Sequence, residues 1–240
     1  MLMNSSTSDK EGNIKKMFDS IAFRYDFLNH LTSFGVDKIW RKKAMGMISS
    51  RIPGSVILDV ATGTADLAIE ASKYNPSSIK GIDVSDKMLE IGRFKLLKKG
   101  VQDKIELFLA ASEDIPFETN SFDIVISAFG VRNFDDLERG LLEMNRVLKI
   151  GGKVLILEFS KPSVPVLSHI YRFYFIKILP LVGRVVSKDK DAYSYLPRSV
   201  MEFPEGNDFL RVLTRTGYSD VAQKPLTFGI VSVYTGVKGN

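Results

Sequence analysis

The chain of 240 residues contains no cysteine. This absence excludes disulfides, thiolate metal sites and a cysteine nucleophile together, and we expect no metal site. Histidine is nearly as scarce, since His30 and His169 are the only two. A chain without thiols fits a reducing compartment, and we expect it in the cytoplasm.

Long uninterrupted apolar runs are missing too. Residues 1–12 are polar and lack the apolar stretch of a secretory signal, so we expect a flexible tail over 1–13. The most apolar segment, 164–186, is interrupted by several charged residues and a proline, which argues against a membrane-spanning helix. The net charge of +5 favours an anionic partner, and nucleic acid, anionic lipid and an acidic metabolite all stay open.

What the chain does contain is a regular alternation of strand and helix patterns. The predicted strands lie near 55–60, 79–83, 104–109, 122–127 and 152–158, and the predicted helices near 65–74, 86–98 and 135–149. Ser85 is predicted to cap the second of these helices and Gly100 to end it. The alternation predicts an α/β fold, with helices on both faces of a mostly parallel sheet.

The ends of the chain depart from this rhythm. Residues 14–50 are predicted to be helical and to form an N-terminal lid. Residues 161–204 contain five prolines, which predicts an insertion over the active site. A helix near 206–216 and strands near 218–224 and 227–237 follow, the last of them expected at the sheet edge. We therefore expect one domain over 14–240.

Glycine is scarce where an α/β protein usually binds a nucleotide. Residues 57–68 read "ILDVATGTADLA", an apolar strand, a turn around Gly63 and a helix. A dinucleotide loop needs three glycines to close on a pyrophosphate, whereas here Thr64 follows directly and Asp59 and Asp66 flank the loop. Negative charge disfavours a phosphate and suits a cation. S-adenosylmethionine combines adenosine with a sulfonium cation and has no phosphate.

Asp83, at the end of the second strand, follows Asp59 by 24 residues. A carboxylate at about this spacing accepts hydrogen bonds from ribose hydroxyls, although NAD enzymes share the spacing.

The next two strands also end in candidate cofactor contacts. "ASEDIPF" begins with Ala111 and Ser112 and places Asp114 beside the expected adenine. Ser127 lies near the end of the fourth strand, which must face the cofactor in a parallel sheet. Acidic ends on three strands, without a phosphate loop, favour S-adenosylmethionine over NAD.

These motifs resemble a known family. The order Asp59-x-x-x-Gly63-Thr64, then Asp83, then "SEDIPF", is similar to class I methyltransferases. "YDFLNHLTSFGVDKIWRK" (25–42) and "RVLKIGGKVLILEFS" (146–160) resemble the two signatures of the menaquinone and ubiquinone biosynthesis C-methyltransferases. The resemblance covers nearly the whole chain past residue 14. Asp37 stands where histidine is usual, and Ala65 where glycine is common.

The resemblance implies a Rossmann-like fold with a seven-stranded, mostly parallel sheet and one antiparallel edge strand. It also implies S-adenosylmethionine as cofactor and methyl transfer to a ring carbon of a polyprenyl quinol. The expected reaction converts a demethylmenaquinol to menaquinol, with the benzoquinol precursor of ubiquinone as a further substrate. We expect peripheral contact with membrane lipid, on the inner membrane face, and no nucleic acid partner; a homodimer stays open.

The candidate catalytic residues are Arg132, Asn133 and Tyr25. Arg132 follows the fourth strand and is expected to polarise the quinol oxygen, directly or through water. The alternative is a helix-capping turn at Asn133 with a solvated Arg132. Tyr25 is expected in the lid or in helix packing, and His30 is either a base or a packed histidine.

Other functions fit less well. An NAD-dependent oxidoreductase would need the missing glycines and a Tyr-x-x-x-Lys pair. A nucleic-acid methyltransferase would need a thiolate or an Asn/Asp-Pro-Pro-Tyr-like motif, where this chain has "SAFGVRNF". A methyltransferase acting on another small molecule or on RNA stays open. A non-catalytic binding module would leave the acidic strand ends without a purpose.

Overall fold

The computed structural model describes residues 16, 17, 19, 20, 22, 35–162 and 190–239, with the backbone alone at 190–194 and 196. The helices are α1 Val36–Met47, α2 Asp66–Ser72, α3 Asp86–Lys99, α4 Leu137–Val147, α5 Lys190–Glu202 and α6 Asn207–Arg215. The strands are β1 Val56–Val60, β2 Ser78–Asp83, β3 Ile105–Leu109, β4 Phe122–Ala128, β5 Leu148–Phe159, β6 Tyr218–Leu226 and β7 Val231–Lys238. The helix predicted over 14–50 contains α1 and the helical residues among 16–22.

Within the described residues, seven strands form one sheet in the order β3-β2-β1-β4-β5-β7-β6. Strands β1 to β5 pair in parallel, and β7 is antiparallel to both β5 and β6. This confirms the predicted fold class. One detail differs, because β7 lies inside the sheet and β6 forms the edge. Residues 231–234 are buried, whereas β6 is largely exposed and contains Pro225, which suits an edge.

Alternate residues of each strand reach opposite faces of the sheet, and both faces are covered. Ile57 of β1 belongs to a buried cluster with Trp40 of α1 and Leu67 of α2. The next residue, Leu58, belongs to a second cluster with Met144 of α4 and Phe209 of α6. The period of two along each strand thus builds two cores, one on each side.

The predicted boundaries of α3 are confirmed. The Ser85 hydroxyl accepts a hydrogen bond from the Met88 amide at 3.2 Å, and Gly100 ends the helix with φ of 66°. None of the described helices is long and apolar enough to cross a membrane. The strand order reverses between β1 and β4, and ligands of α/β sheets bind at such a switch point, beyond the carboxyl ends of the strands.

Candidate active site

A crevice opens at the carboxyl ends of β1, β2 and β4. Its lining includes the turn after β1, the end of β2, Ala110 with Ser112 and Glu113, and residues 128–130 and 133–135. Of the residues predicted from the sequence, it brings together Asp59, Gly63, Thr64, Asp83, Ser112 and Asn133.

The turn after β1 is held by two carboxylates. Asp83 Oδ2 accepts a hydrogen bond from the Gly63 amide at 2.8 Å, which ties the turn to β2. Asp59 Oδ2 accepts hydrogen bonds from Thr62 Oγ1 at 2.6 Å and from the Ala68 amide at 3.2 Å. The Gly63 amide, which a phosphate would need, therefore donates to Asp83 instead. This explains how the loop closes with a single glycine.

Several residues beside the crevice have left-handed backbone conformations. Ala61 has φ of 55°, Ala65 of 65° and Phe129 of 60°. Such angles cost energy in residues with a Cβ, most of all in a bulky one such as Phe129. Strain of this kind clusters at functional sites, and here it lies on both sides of the crevice.

Burial changes the titration of both carboxyl groups. It raises the pKa of Asp59 to about 7 and the pKa of Asp83 to about 6, against opposing hydrogen bonds. Asp59 Oδ1 is buried and has no hydrogen-bond partner among the described residues. Asp83 Oδ1 accepts from the Ser85 amide at 2.9 Å. The Ser85 hydroxyl donates to Asp19 at 2.6 Å, which brings the N-terminal segment to this turn.

The segment after β3 reaches the crevice through Ser112 and Glu113. Ser112 is buried, and its hydroxyl donates to Glu113 Oε2 at 2.8 Å. Glu113 Oε1 in turn accepts from the amides of Asp135 at 2.8 Å and Asp136 at 3.2 Å. This carboxylate thus ties the segment after β3 to the start of α4.

Three residues predicted near the cofactor do not line the crevice. Ala111 lies between Ala110 and Ser112, which do. Asp114 is exposed, and its neighbour Glu113 faces the crevice instead. Ser127 is fully buried, and its hydroxyl has no partner among the described residues.

Asn133 lines the crevice, but the neighbouring Arg132 does not. Arg132 Nη1 lies 2.9 Å from Glu158 Oε1, and the two side chains are 6% and 0% exposed. Arg132 Nε donates to the Ser199 hydroxyl at 3.3 Å, and the guanidinium lies over the Phe159 ring at 5.3 Å. The charge of Arg132 is therefore held in a buried ion pair with Glu158.

Helix α5 contacts the turn that contains Asn133, because the Tyr195 hydroxyl donates to Asn133 Oδ1 at 3.1 Å. Burial raises the pKa of Tyr195 above its ordinary value, so the phenol stays protonated at neutral pH. Tyr25, His30 and His169 lie outside the described residues.

Arg41 and Phe129 also line the crevice, and no motif in the sequence singled them out. Arg41 stands among the lysines of "DKIWRKK", a pattern that predicts one more exposed cation. The available signal was its spacing of four residues from Asp37, which places the two charges on one helix face.

The residues present fit S-adenosylmethionine. The carboxylates of Asp59, Asp66 and Asp83 suit its cationic sulfonium and ammonium groups. The turn provides no phosphate cradle, because the Gly63 amide already donates to Asp83. Asp83 also has acceptor capacity left for ribose hydroxyls, since each carboxylate oxygen can accept about two hydrogen bonds.

Comparisons with known proteins agree with this geometry. Residues 6–238 match the model of the ubiE/COQ5 methyltransferase family. A ubiquinone/menaquinone biosynthesis C-methyltransferase of Geotalea daltonii is 47% identical over 96% of this chain and 98% of its own. A demethylmenaquinone methyltransferase of Bacteroides fragilis is 41% identical over 98% of this chain and 96% of its own. A solved SAM-dependent methyltransferase from Thermotoga maritima shares the fold, with a TM-score of 0.67 at 18% identity, over 94% of this chain and 99% of that one.

Proposed function

Since this chain belongs to the ubiE/COQ5 methyltransferase family, we propose that it converts a demethylmenaquinol to menaquinol with S-adenosylmethionine as methyl donor. It is a SAM-dependent C-methyltransferase of quinone biosynthesis, as its relatives of nearly equal length are. The observation that carries this function is the acid-lined crevice at the switch point, in which carboxylates replace a phosphate loop.

The cofactor would be held by residues around the turn after β1. Asp83 would accept the ribose hydroxyls, and Ser112 with its neighbour Ala111 would lie beside the adenine. Asp59, together with Gly63 and Thr64, would hold the methionine end, with Ser127 supporting from behind the crevice. When bound, S-adenosylmethionine supplies an electrophilic methyl group on a sulfur that departs as a neutral thioether.

The acceptor is the part of the reaction that needs help from the protein. A phenol with a pKa of about 10 is ionised to only about 0.1% at pH 7, a deficit of roughly 4 kcal/mol. A hydrogen-bond donor aimed at the developing phenolate offsets part of this cost, and a base offsets the rest. Correct alignment of ring carbon and methyl group supplies a further contribution.

We propose that Asn133 is this donor. Its carbonyl oxygen accepts from Tyr195, an arrangement that orients the amide with its NH₂ group available for the crevice. That NH₂ group also lies 3.4 Å from the Phe129 carbonyl oxygen, and one of its two hydrogens is left for substrate. Arg132, paired with Glu158, acts as a positioning residue behind Asn133. His30 stays a candidate for the base, and Tyr25 stays a candidate catalytic residue of the lid.

The assignment of Asn133 has a direct kinetic test. Asn133→Ala should lower kcat by roughly a hundred- to a thousandfold, because loss of one oxyanion donor costs about that much. Its affinity for S-adenosylmethionine should change less than threefold. Asn207→Ala, at an exposed position on α6, is the matched control. Unchanged kcat in the Asn133 variant would remove Asn133 from the reaction.

The reaction itself is tested with methyl-labelled S-adenosylmethionine, offered with demethylmenaquinol and with the corresponding demethylated benzoquinol. Mass spectrometry should find the label on a ring carbon of the naphthoquinol, and a smaller yield on the benzoquinol. Absence of label in either ring, with cofactor binding intact, would contradict the proposed reaction. Label on an oxygen would contradict methylation at carbon, but it would not contradict methyl transfer from S-adenosylmethionine to the quinol.

We also propose that residues 14–50 and 161–204 cover the crevice within a single domain over 14–240. The contacts Asp19–Ser85 and Tyr195–Asn133 support this, since each joins one of these segments to the site. Limited proteolysis with and without S-adenosylhomocysteine tests the covering role, because cofactor should protect both segments. Residues 1–13, the predicted tail, lie outside the described residues.

We further propose that the protein contacts the inner membrane face peripherally, because a polyprenyl substrate would lie in the membrane. The outer face of α1 supports it, with exposed Lys38 and Lys42 beside Ile39 and Met47, which are 51% and 36% exposed. Anionic vesicles should co-sediment the protein at low salt, and K38E/K42E should reduce this. The segment 164–186, expected to share this role, lies outside the described residues.

A homodimer stays a prediction, which sedimentation velocity tests.

A further inference from the structure

Arg41 provides the crevice with its positive charge. Among the described residues that line the crevice, Arg41 is the one arginine or lysine, whereas five are acids: Asp59, Asp66, Asp83, Glu113 and Asp135. Its side chain is 10% exposed, so the guanidinium belongs to the wall of the site. A buried cation at this place requires an explanation, because the sulfonium and ammonium groups of the cofactor are themselves positive.

The Arg41 guanidinium is held in a fixed position. Asp37, one helical turn earlier, lies 2.6 Å from Nη1, and Asp66 at the start of α2 lies 3.5 Å from Nη2. Asp66 is shared, since Lys95 also pairs with it and donates to Thr64 Oγ1 at 3.0 Å. A guanidinium has five donor hydrogens, so these two contacts leave capacity for a ligand.

Trp40 fixes the helix that presents Arg41. Its indole N–H donates to Thr227 Oγ1 at 2.7 Å, and its ring packs against Phe129 and Phe159 at centroid distances of 6.1 Å and 6.4 Å. Trp40 is 5% exposed, so α1 is anchored in the core directly beside Arg41. The guanidinium is therefore preorganised, and this reduces the entropy lost on binding.

The cofactor has one group that needs such a cation. S-adenosylmethionine contains two positive groups, the sulfonium and the α-ammonium, and one negative group, the α-carboxylate. The acids can serve the first two, but they repel the third. Arginine binds a carboxylate through two parallel hydrogen bonds, which lysine cannot do.

We propose that Arg41 binds the α-carboxylate of S-adenosylmethionine and thereby selects a cofactor with an intact amino-acid end. This deepens the proposed function and rests on it. Asp37 acts as a positioning residue, which holds the guanidinium through its contact with Nη1.

The test compares S-adenosylmethionine with decarboxylated S-adenosylmethionine, which lacks only the carboxylate. Binding of each to the full chain is measured by calorimetry, for the wild type, Arg41→Met and the control Lys43→Met, an exposed residue on the same helix. The wild type should bind the intact cofactor about ten- to a hundredfold more tightly than the decarboxylated one. Arg41→Met should abolish this preference by weakening the intact cofactor alone, and Lys43→Met should retain it.

Each other outcome overturns a defined claim. A wild type that binds both compounds equally overturns the role of Arg41, even if Arg41→Met does not fold. Equal weakening of both compounds by Arg41→Met overturns it as well, since the effect would not depend on the carboxylate. A wild type that binds neither compound contradicts the proposed function itself.

Discussion

Glu158→Gln should destabilise this protein more than its conservative chemistry suggests. Glu158 is fully buried at the end of β5, and its carboxylate accepts three hydrogen bonds. These come from Arg132 Nη1 at 2.9 Å, from the Arg132 amide at 3.3 Å and from the Phe159 amide at 2.9 Å. The substitution keeps the shape of the side chain but removes its charge and turns one acceptor into a donor.

The expected loss in the free energy of unfolding comes from Arg132, which would remain without its partner. Arg132 is 6% exposed and cannot lose its proton, so its charge would stay buried without a counterion. Removing one partner of a buried pair costs about 3–5 kcal/mol. With a urea m value of about 3 kcal/mol/M, the unfolding midpoint should fall by about 1–1.7 M. Since Asn133 follows Arg132, kcat should fall in the folded fraction too.

Two further variants make the reasoning refutable. R132M/E158L removes both charges at similar volume and should recover most of the lost stability, because no ion is then left unpaired. Glu138→Gln removes one partner of an exposed pair with Arg215 and should cost less than about 1 kcal/mol. A Glu158→Gln protein within 1 kcal/mol of the wild type, or a double variant no more stable than the single one, would refute the argument.

Three other predictions concern the crevice and the glycines. Because burial raises the pKa of Asp59 to about 7 and that of Asp83 to about 6, calorimetry should show S-adenosylmethionine affinity falling as pH decreases below 7, and more steeply below 6. Asp83→Asn should bind at least tenfold more weakly and lose the additional decrease below pH 6. The same raised pKa values mean that the folded apo protein holds protons on Asp59 and Asp83 that the unfolded chain has released. Its stability should therefore decrease as pH rises from about 4 to 7, by up to about 1.4 kcal/mol per unit for each group, and a rising urea midpoint across this range would contradict it. Gly130→Ala would place a Cβ 2.5 Å from the Cβ of Ala61, so thermal melts should show lower stability and calorimetry should show weaker cofactor binding. In Gly46→Ala, on α1, the new Cβ meets no atom within 4 Å, so this variant should be more stable by about 0.5–1 kcal/mol.

Several residues that line the crevice were predictable because their arrangement is local in sequence. Asp59, Gly63 and Thr64 lie within one turn, and the period of the strands places Asp83 at the same edge of the sheet. The capping of α3 by Ser85 was predictable for the same reason, since a cap depends on residues three apart.

The remainder depends on contacts between distant parts of the chain. Trp40 and Thr227 are 187 residues apart, and no local pattern indicates that they meet and anchor the helix bearing Arg41. Arg132 reads as a solvated or substrate-facing cation until β5 brings Glu158 beside it. The position of β7 inside the sheet depends likewise on which strand pairs with β5.

The sequence by itself determined the class of fold and the type of cofactor, because strand periodicity and the charges next to each strand are encoded within a few residues. The family was indicated by resemblance, since its long motifs are contiguous in the chain. Only the tertiary structure decided which charges face the ligand and which are neutralised in the core. Charge type is a property of the residue, but its partner and its burial arise when distant segments pack together.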